Sequence, residues 1–186
     1  NSGSKKSKYS LIVLIMFRKK NKLSCELKGE GRQLGMCDDI YNIWSGYESV
    51  DDLCQLYADN MQFIINHPNW RLNKTLKKYA SEEIRHKHGI YIDEKAKLKN
   101  VGDMIINGYS DIVLNVDNGS AVEMYVRENS KLDIYLSNGS VAYINVYDNT
   151  SVKIKAEEQS KCFVYKYGGV VENTTGNVTI RDRINK

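Results

Sequence analysis

The stretch DNGSAVEMYVRENSKLDIYLSNGSVAYINVYDNT, residues 117–150, carries a small hydroxyl side chain at every tenth position. These residues are Ser120, Ser130, Ser140 and Thr150. The residues just before each hydroxyl are of types that favour turns, chiefly Asn, Gly and Asp. The residues after it alternate between apolar and other side chains, which is typical of a strand with one buried face. Each block of ten therefore predicts one strand and one turn.

The ten-residue period runs from about Lys97 to Lys166. Each corner hydroxyl is expected to bond a turn amide that the strand ladder leaves unpaired. The predicted inward positions include Ile112, Leu114 and Val116; Val122, Met124 and Val126; Leu132, Ile134 and Leu136; and Val152, Ile154 and Ala156.

Two architectures fit this pattern. An antiparallel meander would place every apolar position on one face of a single sheet, and that face would need a second layer. A β-solenoid would place two blocks in each coil, so that two parallel sheets cover each other. The motif NGS occurs at 118–120 and again at 138–140, a period of twenty. This favours the solenoid over the meander, and it predicts that Met124 and Ile144 stack in adjacent coils.

Residues 37–89 have a helical period instead. Ser49 precedes Asp52 by three residues, as in a capping box, and an apolar stripe then continues towards Pro68. A shorter helix is predicted in CDDIYNIW, residues 37–44, with Ile40, Ile43 and Trp44 on one side. A third is predicted in NKTLKKYASEEIRHKHG, residues 73–89. Together these segments predict a small helical bundle.

Basic residues are concentrated at the start of the chain. Residues 1–36 carry nine Lys or Arg against two Asp or Glu, whereas residues 97–186 carry eleven of each. The apolar run LIVLIMF, Leu11 to Phe17, is too short to span a bilayer, and no small-residue cleavage site follows it. We therefore expect residues 1–35 to be a poorly ordered basic extension, with Met36 opening the domain. We expect no membrane span and a location in the bacterial cytoplasm.

The predicted fold class is α+β. A helical head at residues 36–96 is expected to cap a short two-sheet parallel β-solenoid with a ten-residue half-coil at residues 97–186. Solenoid ends expose strand edges and need covering. The segment YGGVVENTTG, residues 167–176, and the charged tail RDRINK, residues 181–186, depart from the period and are expected to close the C-terminal end as an irregular cap.

Several short motifs carry a resemblance. They are MCDDIYNIW, LCQLY, GIYIDE, YVRENS, YDN and YKYGG, spread between Met36 and Gly169. The chain resembles a family of small proteins from Bacteroidetes and their mobile elements, with a helical head and a β-repeat region. The resemblance implies a bacterial or phage-associated context. It implies no activity, cofactor or catalytic residue.

No cofactor or metal site is predicted, and the protein is not expected to be an enzyme. His86 and His88 lie two residues apart and cannot share one helix face. No cysteine pair has the spacing of a zinc site or a disulfide framework; the four cysteines are Cys25, Cys37, Cys54 and Cys162.

An outward face of the predicted solenoid supplies the candidate site. Tyr125, Tyr143, Phe163 and Tyr165 fall on outward positions of alternate blocks, so they share one sheet. Aromatic rings with polar rims suit a binding surface. The favoured function is thus a non-enzymatic binding or assembly module, whose partner is another protein or a second copy. A carbohydrate is a further candidate ligand. The competing interpretation is an aromatic ladder that only steadies the sheet, or a face that the helical head covers.

Two other functions stay open. The predicted third helix resembles the recognition helix of a helix-turn-helix, although Glu82 and Glu83 interrupt its positive charge. A nucleic-acid-binding regulator is therefore the alternative, and a carbohydrate-active enzyme is the second alternative. The basic residues concerned are Arg71, Lys74, Lys77, Lys78, Arg85 and Lys87.

Overall fold

The computed structural model describes residues 20–184, without the side chain of Asn173. In that part the chain forms six helices and eleven strands. It divides into two compact units, with the boundary between Ala80 and Ser81. The second unit thus begins before residue 97, from which the ten-residue period was counted. The run Leu11 to Phe17 lies outside the described residues.

The first unit is helical. Its helices are α1 (Lys22–Gln33), α2 (Asp38–Ile43), α3 (Val50–Asp59), α4 (Met61–Asn66) and α5 (Leu72–Tyr79). The capping box predicted at α3 is confirmed, because the Ser49 side chain accepts from the Asp52 amide and the Asp52 side chain accepts from the Ser49 amide. The long helix expected before Pro68 is broken at Asn60 into α3 and α4.

Helix α1 corrects the prediction of a poorly ordered extension at residues 1–35. Leu27 on this helix is fully buried, and Met36 is 2% exposed. Gly31 faces the Met36 side chain and Trp70, and a Cβ there would lie 2.3 Å from the Met36 Cε and 3.1 Å from the Trp70 ring. The helix therefore packs closely against its unit, and of residues 1–35 only 1–19 lie outside the description.

The predicted third helix is two helices. Helix α5 ends at Tyr79, and α6 (Glu82–Lys87) begins after Ser81, whose side chain caps it by accepting from the Ile84 amide. The break coincides with the unit boundary, so α5 belongs to the helical unit and α6 to the second.

The second unit is a parallel two-sheet β-solenoid. One sheet is built from β1 (Ile90–Ile92), β3 (Met104–Asn107), β5 (Ala121–Val126), β7 (Val141–Val146), β9 (Lys161–Lys166) and β11 (Val178–Asp182), paired in that order. The other is built from β2 (Lys95–Lys99), β4 (Asp111–Val116), β6 (Lys131–Leu136), β8 (Ser151–Ala156) and β10 (Val170–Thr175). The solenoid prediction is confirmed, and the meander is wrong, because every strand pair is parallel.

Positions twenty residues apart stack as predicted. Met124 pairs with Ile144, and Leu114 pairs with Ile134 on the other sheet. The inward side chains of both sheets form one apolar cluster. Ile134 is 1% exposed and Ile144 is fully buried. The core is therefore made by the repeat itself, each sheet covering the inner face of the other.

Ser130, Ser140 and Thr150 are buried, whereas Ser120 is half-buried and donates to the Asn118 side chain. Most of these corner hydroxyls donate instead of accepting. Ser140 accepts from the Gly119 amide at 3.1 Å, as predicted for all of them. In contrast, Ser130 donates to the Gly108 carbonyl and Thr150 to the Tyr147 carbonyl. Tight turns thus leave carbonyl oxygens as well as amides in need of a partner.

The C-terminal end also differs from expectation. Residues expected to form an irregular cap make two more strands, β10 and β11. Strand β10 pairs with β8 with a register shift between Glu172 and Thr175, whereas β11 pairs with β9 in regular register from Val178 to Asp182.

Candidate functional site

The four predicted site residues share the outward face of the six-stranded sheet. Tyr143 of β7 pairs with Phe163 of β9 in one column. Tyr125 of β5 pairs with Asn145, and Asn145 pairs with Tyr165, in the next column. The predicted placement follows directly from the twenty-residue coil. The aromatic face, defined by Tyr125, Tyr143, Phe163 and Tyr165, therefore consists of two columns with different contents.

Tyr143 and Phe163 form a stacked pair. Their ring centroids are 5.4 Å apart and their planes differ by 15°. Tyr143 is 39% exposed. Rings that stack on each other in this way direct their edges, and the tyrosine hydroxyl, towards solvent. The pair is thus a rigid exposed ridge on a regular part of the sheet.

Tyr125 and Tyr165 are separated from each other by an amide. Asn145 is 8% exposed and donates to the Glu123 carboxylate at 3.1 Å. The Arg181 guanidinium lies over the Tyr165 ring, 5.7 Å from its centroid. The structure therefore brings only Tyr143 and Phe163 into ring contact. Tyr125 and Tyr165 lie in the neighbouring column, beside polar and charged groups.

The phenol of Tyr125 stays protonated well above neutral pH. Burial, followed by the nearby Glu123 carboxylate, raises the pKa of Tyr125 to about 12. A phenol in this state is a hydrogen-bond donor and acceptor, not a general base near pH 7. The aromatic face can therefore bind a ligand through its ring surfaces and through hydrogen bonds.

A second aromatic stack was missed by the sequence analysis. Tyr147 and Tyr167 stack at the adjoining corner, with centroids 4.7 Å apart and an angle of 2°. Tyr167 is 43% exposed, whereas burial and the neighbouring phenols raise the pKa of Tyr147. The twenty-residue spacing of the two residues was a usable signal. It was overlooked because they occupy block positions that were assigned to turns.

Arg127 lies one coil before Tyr147 in the same corner series. It is 1% exposed, and its Nε lies 3.9 Å from a carboxylate oxygen of Asp148. Its Nε and Nη1 have no hydrogen-bond partner within the described residues. Arg127 is therefore a buried cation held by a long ion pair beside the Tyr147–Tyr167 stack.

The outward face of the five-stranded sheet is different in character. Tyr135 is 45% exposed and has Asn115 and Lys155 as its neighbours in the column, without an aromatic partner. A shallow groove beside it is lined by residues of both charges, including Lys99, Asn115, Asp117, Lys155 and Glu157. Lys99 and Asp117 are ion-paired at 2.8 Å. This face therefore has one isolated ring, beside a groove lined by charges of both signs.

The basic residues that suggested a nucleic-acid-binding helix are partly engaged within the protein. Arg71 forms ion pairs with Glu26 at 3.0 Å and with Glu30 at 2.7 Å. Arg85 is 5% exposed and forms an ion pair with Glu94 at 2.5 Å. The two arginines thus stabilise their own units.

The described residues contain no group of three His, Cys, Asp or Glu side chains placed to hold a metal ion. None of the helices between residues 20 and 184 is long and apolar enough to cross a bilayer.

Comparisons with known proteins found no family model that matches the chain, and no matching curated protein or solved structure. The fold therefore defines the class, a helical unit followed by a two-sheet parallel β-solenoid. The resemblance to proteins of Bacteroidetes and their mobile elements stays a prediction.

Proposed function

We propose that this protein is a non-enzymatic binding module, and that its aromatic face binds a partner protein. The observation that carries the proposal is the stacked Tyr143–Phe163 pair, held half-exposed on regular strands. Aromatic side chains are enriched among the residues that dominate binding energy at protein interfaces. Rings already fixed by stacking and by the strand ladder lose little conformational freedom on binding.

The orientation of the rings favours a protein over a sugar. A sugar ring stacks on the open face of an aromatic side chain, whereas Tyr143 and Phe163 each have one face turned towards the other ring. Ring edges and a tyrosine hydroxyl suit the mixed apolar and polar surface of a protein. The exposed side chains of Glu123 and Arg181 beside the rings supply the polar rim of such an interface.

The experiment compares two surface variants. The double substitution Tyr143→Ala and Phe163→Ala removes the ridge, and Tyr135→Ala removes a similarly exposed ring from the other sheet as a matched control. Tagged proteins are used to capture partners from the source organism, followed by mass spectrometry. We expect proteins captured by the wild type and by Tyr135→Ala to be lost with the double variant, while its thermal midpoint changes little.

Two outcomes contradict the proposal. If the double variant captures the same proteins as the wild type, the aromatic face is not the binding surface. If the double variant unfolds, the rings are part of the fold and the ladder interpretation is correct. Nucleic-acid binding and carbohydrate hydrolysis stay predictions from the sequence, to be tested by salt-dependent DNA binding and by glycan hydrolysis with the pure protein.

A further inference from the structure

The C-terminal end of the solenoid has a regular strand with a free edge. Strand β11 is the last member of the six-stranded sheet and pairs on one side with β9. No described residue pairs with its other side. A free edge presents backbone donors and acceptors that a further strand can satisfy.

The backbone groups at this edge follow from the ladder. The Arg183 amide donates to the Lys166 carbonyl at 2.7 Å, and the Asn177 carbonyl accepts from the Cys162 amide at 3.0 Å. Odd-numbered residues of this segment therefore bond to β9. In a parallel ladder the alternate residues face the opposite side. The amide and carbonyl of Ile180, at the middle of β11, consequently point to the free edge.

The apolar core is also open at this end. Ile180 continues the inward column formed by Met124, Ile144 and Val164. Those three side chains are at most 1% exposed, whereas Ile180 is 45% exposed. Its exposure arises because no further coil packs above it in the described chain. Covering Ile180 would remove apolar surface from water, which is favourable.

The N-terminal end is protected in ways that this end is not. Helix α6 packs against β1, the first strand of the same sheet. On the other sheet, the first strand β2 carries the exposed residues Lys95, Lys97 and Lys99, and edge lysines oppose strand pairing. The last strand of that sheet, β10, has a register shift, which also disrupts an edge. Strand β11 thus differs from the other edge strands in having a regular register and no packed helix on its edge. Of its edge-facing amides, that of Val178 already donates to the Gly176 carbonyl at 3.0 Å.

We propose that β11 pairs with β11 of a second copy, antiparallel about a two-fold axis, with Ile180 of one copy opposite Ile180 of the other. This register pairs the edge-facing groups of the two Ile180 residues and overlaps all of β11. It places Thr179 opposite Arg181 and Val178 opposite Asp182, so that no like charges face each other directly. A slip of one residue in each copy would oppose the two Arg181 side chains, which is unfavourable.

Charge and symmetry both favour a second copy as the occupant. The end carries both signs, with Glu172 and Asp182 against Lys166, Arg181 and Arg183, so two such ends do not repel strongly. A contact between identical surfaces closes at two subunits, and the guarded opposite end prevents growth into a fibre. The interface would consist of the two β11 edges and the open apolar ends of the two cores, which is a small area. We therefore expect a dissociation constant in the micromolar to millimolar range.

This surface is distinct from the aromatic face, and the test separates the two. Sedimentation velocity of the full chain is measured from about 5 µM to about 1 mM. We expect the wild type to shift from monomer to dimer and Ile180→Lys to remain monomeric at every concentration. Ile184→Lys is the matched control, because Ile184 is exposed but lies beyond β11, and it should dimerise like the wild type.

Cross-linking provides a measurement that does not depend on disrupting the edge. Opposed residues of an antiparallel hydrogen-bonded pair have Cα atoms about 5.5 Å apart, within the range of a disulfide. In a Cys37→Ser background, Ile180→Cys should therefore form a covalent dimer on air oxidation. Thr179→Cys should form much less, because Thr179 of one copy faces Arg181 of the other.

The opposite results overturn the proposal. If the wild type stays monomeric throughout the concentration range, β11 does not pair with a second copy. The edge of β11 would then be available for a strand of a different protein. A dimer that survives Ile180→Lys, but is lost in the Tyr143→Ala and Phe163→Ala double variant, assigns self-association to the aromatic face. Equal cross-linking by Thr179→Cys and Ile180→Cys excludes the proposed register.

Discussion

Ser110 and Ser160 are both buried corner serines, each just before a strand, yet their hydroxyls are bonded differently. Ser110 donates to the Asn107 carbonyl at 2.7 Å and accepts from the Glu94 amide at 3.2 Å. The Ser160 hydroxyl has no partner among the described residues. Since removing a buried hydrogen bond costs most when it leaves the partners unsatisfied, the two serines provide a direct comparison.

Replacing each serine with alanine should give different losses of stability. Ser110→Ala leaves the Glu94 amide unpaired and removes one of two donors to the Asn107 carbonyl, which also accepts from the Asp93 amide at 3.3 Å. It should lower the free energy of unfolding by about 1–3 kcal/mol. Ser160→Ala removes a hydroxyl that makes no bond, and should change it by less than about 0.5 kcal/mol. Urea titration followed by circular dichroism measures both values. Equal losses would mean that space at the corner, and not hydrogen bonding, selects serine.

Glu48 is the central acceptor of the helical unit. Its carboxylate accepts from the Ser24 and Ser45 hydroxyls and from the Ser45 and Gly46 amides. The Trp44 indole donates to the Ser24 hydroxyl at 2.7 Å. Burial would raise the pKa of Glu48, but these hydrogen bonds outweigh it, so the pKa lies below its usual value of 4.5.

The lowered pKa predicts acid sensitivity of the helical unit. A carboxyl whose pKa is lower in the folded state stabilises fully above the usual value, and this contribution is lost as the pH falls through the folded value. The urea midpoint from tryptophan fluorescence should therefore fall between about pH 6 and about pH 3. Both tryptophans, Trp44 and Trp70, lie in this unit. Glu48→Gln should be less stable at pH 6 and show a weaker acid dependence; an unchanged dependence would assign the effect to other carboxyls.

At the scale of the elements, strands β4 to β9 repeat a single design. Each alternates inward and outward side chains, and adjacent residues of β6 illustrate the difference. Ile134 is 1% exposed and belongs to the core cluster, whereas its neighbour Tyr135 is 45% exposed on the outward face. Neighbouring residues of similar size thus lie in opposite environments on one strand.

This contrast predicts the energetic cost of truncation. Ile134→Ala should lower the free energy of unfolding by about 2–5 kcal/mol, because it leaves a cavity between the sheets. Tyr135→Ala should cost less than about 1 kcal/mol, since its ring is mostly in water. Denaturant titration of both variants checks the assignment. A larger loss for Tyr135→Ala would show that the outward ring is an essential support of its sheet.

The sequence predicted strands β4 to β9 because inward residues recur at a constant separation, as Ala142 and Cys162 do. It did not predict β11 because Val178 pairs with Cys162 at a shorter separation of sixteen residues. Helix α1 was missed for another reason. Its Gly31 lowers helical propensity, and the reason for a glycine there is the approach of Met36 and Trp70 in the folded unit. Such a tertiary reason is not visible in a local pattern.

The candidate site was predictable to the same extent as the repeat. The pairing of Tyr143 with Phe163 follows from the twenty-residue coil. Tyr147 and Tyr167 have the same twenty-residue spacing, which predicts that they lie in one column, but corner residues have no alternation to show which way their rings point. The positions of Asn145 and Arg181 beside the rings depend on side-chain conformation and on β11, neither of which the period determines.

At the scale of the whole molecule, the chain consists of two units with different sources of stability. The solenoid unit has an apolar cluster of buried residues that runs from Tyr91 to Val164, all within its own limits. The helical unit has a separate set of buried residues, among them Leu27, Trp44, Leu53 and Leu76. Each unit therefore has a core of its own, which is the usual requirement for independent folding.

The solenoid unit should consequently fold alone. A fragment of residues 81–186 should show the circular dichroism of a β protein and a cooperative thermal transition. Because the boundary between the two units lies between helices α5 and α6, this fragment contains both α6 and β1. A fragment of residues 97–186 lacks α6 and β1 and should be less stable. If the two fragments were equally stable, α6 and β1 would contribute nothing to the solenoid.

The twenty-residue coil also fixes how the length of such a protein can change. Deleting residues 121–140 removes one complete coil, and every later strand keeps its sheet and its inward face. Deleting residues 121–130 removes half a coil, so every later strand moves to the opposite sheet and its partners change. Length can therefore vary in whole coils, each adding about 4.8 Å. Insertions and deletions of one coil are therefore the changes of length that can accumulate during evolution while every version of the protein still folds.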